Sequence, residues 1–124
     1  MVDVEDSVSC YSSVFRAGID PATIRDTLAR CLTDDVIVVH PQAGVLRGID
    51  AVTGFAVAFH AGSDGASVVA TTGVDGHHGR GRFGWAIEAA DGARVADGVD
   101  FVEFTDDGRI ATIAIFPDPL PVVG

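Results

Sequence analysis

The chain has 124 residues, 48% of them apolar and 21% charged, which suits one globular domain over residues 1–124 and excludes a disordered chain. Acidic side chains number 18 against 8 basic ones, for a formal net charge of −10, and every basic one is arginine. That charge repels phosphate backbones and anionic bilayers, so neither nucleic acid nor a membrane surface is an expected partner.

The first third reads as helix. Val4, Val8, Tyr11, Val14 and Phe15 recur at helical spacing, and Gly18 closes the segment. Asp20-Pro21 opens a second helix with an N-cap followed by proline in the first turn, and Ile24, Leu28, Cys31 and Leu32 form its apolar face. Thr33-Asp34-Asp35 is expected to end it. Val36–His40 is a β-branched run and reads as a strand stopped by Pro41, with Gly44 and Gly48 in a connecting loop. Asp50 is expected to cap a third helix, from about Ala51 to His60, with Val52, Phe55, Ala56 and Phe59 on its apolar face. Four strands follow, at about Ala66–Val74, Arg80–Ala90, Arg94–Thr105 and Arg109–Phe116. Asp91-Gly92 and Asp107-Gly108 are hairpin signals, whereas Asp75–Gly79 reads as a softer loop. Pro117, Pro119 and Pro121 end the sheet. Helices gathered at one end of an antiparallel sheet mean an α+β fold, and a curved sheet against helices leaves room for a pocket.

Met1–Asp6 is acidic, the wrong sign for a secretory leader, and no apolar run approaches membrane-spanning length. A cytoplasmic location is expected, with Cys10 and Cys31 as two reduced thiols.

Asp100 is the most informative residue. Alternation puts Gly98, Asp100, Val102 and Phe104 on one face of its strand, and Val99, Phe101, Glu103 and Thr105 on the other. Both faces carry large apolar groups, so the carboxyl is expected to be desolvated and its pKa raised. Such a group can donate a hydrogen bond to a developing oxyanion or act as a general acid. A buried aspartate bonded to a backbone amide or an arginine fits the same pattern. His40 ends a strand just before a proline, at the mouth of any concave pocket, and an imidazole is a natural general base. Tyr11 is the only tyrosine, and its hydroxyl needs a partner in the core or on a ligand. Phe55, Phe59, Trp85, Val102, Phe104 and Phe116 are candidates for an apolar pocket wall. His77 and His78 are adjacent and share no face, so no metal site is expected there.

With these positions marked, the chain resembles the SnoaL-like and ketosteroid-isomerase-like branch of the nuclear transport factor 2-like superfamily. Three segments carry the likeness: Tyr11–Gly18 with Leu32–Asp35, Val38–Pro41 with Gly44 and Gly48, and Gly98–Phe104 with Asp107–Ile110. The resemblance implies a cone-shaped α+β barrel, three helices closing an apolar cavity, and a homodimer formed through the sheet. It also implies proton transfer on a small lipophilic carbonyl compound without cofactor or metal, by isomerisation, dehydration or ring closure. In ketosteroid isomerases a first-helix tyrosine and a penultimate-strand carboxylic acid hold the enolate oxygen, and Tyr11 and Asp100 stand where those groups would be. The family's proton-shuttling aspartate is replaced by His40, which therefore inherits the role of base. A non-catalytic ligand-binding or dimerisation domain, or a relative whose cavity is filled by side chains, fits the same likeness.

Overall fold

The computed structural model describes residues 3–123. Helix α1 (Val4–Ser13) is capped by the Asp3 carboxylate, which accepts from the Glu5 amide. Helix α2 (Pro21–Cys31) is capped by Asp20, with Pro21 in the first turn, where a missing N–H costs nothing. Strand β1 (Leu32–His40) follows without a break. Thr33-Asp34-Asp35 lies inside this strand rather than ending a helix. Asp34 and Asp35 face solvent where the pairing slips between Leu32 and Ile37, while Leu32 and Val36 are buried.

Pro41 turns the chain but does not stop the sheet. Gly44 and its neighbours, expected to be loop, form β2 (Gly44–Arg47), antiparallel to β1 from His40↔Gly44 to Ile37↔Arg47. Helix α3 (Ile49–Gly62) starts after Gly48, whose φ of 84° belongs to glycine. Asp50 is not its cap. It sits in the first turn and pairs with Arg25 of α2 at 2.6 Å on the surface.

The strand expected over Ala66–Val74 is two short ones, β3 (Ser67–Ala70) and β4 (Asp75–His77). Thr71 and Thr72 lie between them, and the Thr72 hydroxyl accepts from the Gly84 amide at 2.8 Å. Both pair with β5 (Arg80–Glu88). The expected soft loop is thus a tight hairpin: His77 opposes Arg80, and His78 and Gly79 take positive φ values of 54° and 75°, the signature of a type I′ turn. Long strands β6 (Arg94–Phe104) and β7 (Ile110–Pro117) complete the sheet through the expected hairpins.

The strand order is β2-β1-β7-β6-β5-β3, with β4 also on β5. The β1–β7 pair is parallel and the others antiparallel, so the seven-stranded sheet is mixed. It is curved, and it is open rather than a closed barrel, because the outer strands β2 and β3 do not meet. The three helices cover its concave face, giving the α+β architecture expected. Val14, Ile24, Leu28, Val36, Val38, Val52, Val102, Ile110 and Ile113 are fully buried between the layers. At about 25 cal/mol per Å² of apolar surface, this layer is what holds helices to sheet.

Polar ties fix where α1 lies. The buried Ser7 hydroxyl donates to the Gly108 carbonyl at 2.7 Å, anchoring one end of α1 to the β6–β7 turn. Beyond its other end, the Val68 amide donates to the Phe15 carbonyl and the Ala17 amide donates to the Ser67 hydroxyl. The helix is held across the sheet over β3. No helix among the described residues is long and apolar enough to cross a membrane.

Candidate active site

Between the helices and the concave face lies an apolar cavity of about 90 Å³, partly open to solvent. Its floor follows from strand register. Phe83, Asp100 and Ile115 lie opposite one another on β5, β6 and β7, and Trp85 lies opposite Gly98 in the next row. Their alternation with outward-facing neighbours brings these side chains to the same face. Ile87 and Val68, paired between β5 and β3, extend the wall. Tyr11, Ser12 and Phe15 descend from α1, Phe55 and Phe59 from α3, and His40 closes the end of β1. The Phe15 ring stands edge-on to Tyr11, Phe55 and Phe59, with centroids 5.3, 5.9 and 6.0 Å away. These contacts build the roof.

Tyr11, His40 and Asp100, separated by most of the sequence, all reach this cavity, as do Phe55, Phe59 and Trp85. The other three wall candidates do not. Val102 is fully buried one row further along β6, packed in the solid core opposite Ile113. Phe104 lies beyond a break in the β6–β7 register and covers the far end of the sheet near Gly79 and Gly81. Phe116 pairs with Val99 on the outer face and is 59% exposed. In their place the wall includes Ser12, Phe15, Val68, Phe83, Ile87 and Ile115. The sequence signalled Phe15 on a helical face, and Phe83 and Ile87 on the face of Trp85. Val68 and Ile115 required the register.

Asp100 is 4% exposed. Removal from water pushes its carboxyl up from 3.8 to about 7, against a small downward pull from the Trp85 indole N–H. That N–H faces the carboxyl too loosely for a hydrogen bond. Asp100 Oδ1 and Trp85 Nε1 are both buried and both lack a partner among the described residues. The ion pairs found there are surface pairs of Arg25, Arg80, Arg82 and Arg109, so no arginine neutralises Asp100. Burial also raises the Tyr11 phenol well above its usual range, and the Asp100 charge, then Cys31, adds to the effect. Tyr11 is therefore a neutral O–H beside a carboxyl close to half ionisation at neutral pH.

Gly98 makes this arrangement possible. A Cβ there would collide with the Trp85 indole and come within 2.5 Å of the Phe116 carbonyl. The indole lies over the bare β6 backbone, one row from Asp100. His40 stacks at a tilt on Phe55, centroids 5.4 Å apart. Its Nδ1 accepts from the Gln42 and Ala43 amides, both at 3.1 Å. Burial lowers its pKa, so the ring is neutral at pH 7. With Nδ1 engaged as an acceptor, the lone pair that would make the neutral ring a base is already taken up by the two amides.

The model of the SnoaL-like domain matches residues 15–113 of this chain. No curated protein matches it. Among solved structures, a candidate isomerase of the SnoaL-like family from Agrobacterium tumefaciens aligns over 92% of this chain and 96% of its own, with TM-score 0.83 and 24% identity. A nuclear transport factor 2-like protein of unknown function from Exiguobacterium aligns over 92% and 99%, with TM-score 0.72 and 22% identity. A candidate polyketide cyclase from Sinorhizobium meliloti aligns over 89% and 93%, with TM-score 0.65 and 21% identity.

Proposed function

The chain belongs to the SnoaL-like domain family, and on that premise we propose that it is a cofactor-free acid–base catalyst acting on a small lipophilic carbonyl compound, with Asp100 carrying the proton. The observation behind this reading is the unpartnered Asp100 carboxyl, buried in an apolar cavity with its pKa near 7. A group balanced between acid and carboxylate can take a proton in one step and return it in the next. Tyr11, a neutral donor beside it, stabilises the carboxylate form or the developing oxygen charge. Two of the similar structures are named as a candidate isomerase and a candidate polyketide cyclase. Moving a double bond beside a carbonyl and closing a ring by aldol addition would both begin by taking a proton from the carbon next to a carbonyl.

The cavity size narrows the substrate. An engineered apolar cavity of ~150 Å³ accepts one benzene ring. At about 90 Å³ this one is smaller but open on one side, which favours a small ligand over a large one. The same smallness also favours a second reading, a non-catalytic binder of small ligands. We propose in addition that the protein is a homodimer through the outer sheet face, where Val99, Phe101 and Phe116 are exposed.

Cyclohexanone in D₂O separates catalyst from binder, with α-proton exchange followed by NMR. The protein is expected to accelerate exchange, and Asp100→Asn to reduce the acceleration at least ~10²-fold while the fold persists. A binding module would shift the cyclohexanone resonances without exchange, and the catalytic reading would fall.

A further inference from the structure

His40 shares the cavity with Asp100, and its hydrogen bonds fix where its proton sits. Nδ1 accepts from two backbone amides, Gln42 and Ala43. A ring nitrogen that accepts carries no proton, so the single proton of the neutral imidazole is on Nε2. A second proton would have to enter at Nδ1, facing those two amide donors. The ring is a donor at Nε2 and has no free basic nitrogen.

We infer that His40 is an oxygen-binding group of this site rather than its base, and that its Nε2–H donates to the carbonyl oxygen of the bound substrate. The edge of the ring opposite Nδ1 remains for the cavity it lines, and the Phe55 ring holds its tilt. The catalytic meaning of this assignment rests on the reading of Asp100 as proton carrier. In the forward step the Asp100 carboxylate takes the α-proton. The C–H bond breaks, an O–H bond forms on Asp100, and the electron pair moves through the new C=C to the oxygen. Nε2–H stays on nitrogen and its hydrogen bond strengthens as charge grows on that oxygen, as a neutral imidazole can do. Asp100 then returns the proton to a carbon of the enolate. Nothing else is consumed.

The test uses 4-nitrophenolate, a one-ring oxyanion, with the Asp100→Asn protein so that no carboxylate repels it. At mildly alkaline pH its absorbance is expected to report binding. Adding His40→Leu should weaken that binding by about tenfold or more, the loss of one charge-assisted hydrogen bond. Adding His40→Gln, which keeps an N–H donor, should recover part of it. Nitrogen-15 NMR of the unsubstituted protein should find the Nε2–H tautomer of His40. The Nδ1–H tautomer, no phenolate binding by Asp100→Asn, or equal affinity with and without the imidazole would each overturn the assignment. The exchange assay with Asp100→Asn judges the other reading separately. If exchange survives there, Asp100 is not the proton carrier, while the phenolate result still decides what His40 binds.

Discussion

Asp100 links the cavity chemistry to stability. The folded chain holds its proton to about 7, whereas an unfolded chain releases it near 3.8. Between those values the unfolded state gives up the proton first, so raising the pH favours unfolding and the stability contributed by the neutral acid is lost. Below about 4 both states are protonated and the penalty vanishes. Above 7 both are ionised and it is complete. A displacement of that size corresponds to about 4 kcal/mol as an upper bound. Asp100→Asn has no such slope. Its stability by denaturant titration should therefore gain on the unsubstituted protein as pH rises from about 4 to 7, then run parallel to it. His40, with its lowered pKa, gives an opposite slope in acid, present in both proteins and absent from the difference. A difference that is flat with pH would mean a hydrated Asp100. The burial of Asp100 was legible in the sequence, since alternation on an apolar strand is a local property. The proton position on His40 was not, because it depends on the backbone amides of a turn whose shape only the β1–β2 pairing sets.

At the scale of elements, the β5–β6 pair builds the site, and Gly98 is its permissive point. Strand propensity disfavours a glycine in mid-strand, so one there marks close approach by another group. Here the approaching groups are the Trp85 indole and the Phe116 carbonyl. Gly98→Ala forces the indole off the β6 backbone and is expected to cost about 1–3 kcal/mol as overpacking. Because Trp85 is the only tryptophan, its fluorescence reports the displacement directly, as a red shift on exposure to water. Water admitted beside Asp100 should also lower its carboxyl pKa toward the ordinary value, readable by carbon-13 NMR. An unchanged emission spectrum with an unchanged pKa would mean that the added Cβ is accommodated without moving the indole, and that Gly98 is not what seats it. The long strands and both Asp-Gly hairpins were legible because each carries period-2 patterning or a turn dipeptide. The splitting of β3 from β4 and the existence of β2 were not. Both are short edge segments that owe their structure to pairing partners far away in sequence.

The whole molecule has two unlike sheet faces. The concave one is covered by helices, but the outer one leaves Val99 opposite Phe116 and Phe101 opposite Ala114, with Phe101 42% and Phe116 59% exposed. Large apolar side chains gathered on adjacent central strands differ from the scattered exposed residues normal on a surface. The net charge of −10 opposes association at long range, so an apolar contact here must outweigh that repulsion. A dimer through this face is therefore expected to tighten with added salt, which screens the charge and leaves apolar burial intact. Light scattering on a sizing column should find twice the chain mass, and Phe101→Glu should reduce it to one. The substitution puts a carboxylate on each partner at the contact while the inward neighbours Asp100 and Val102 keep their places. If the unsubstituted protein runs as a monomer at all salt concentrations, the face serves something other than a second copy. If Phe101→Glu is monomeric and also loses cyclohexanone exchange, the dimer holds the β6 register that aims Asp100 into the cavity. Retained exchange in that monomer would instead mean that each chain's helices and sheet suffice to keep the carboxyl dry.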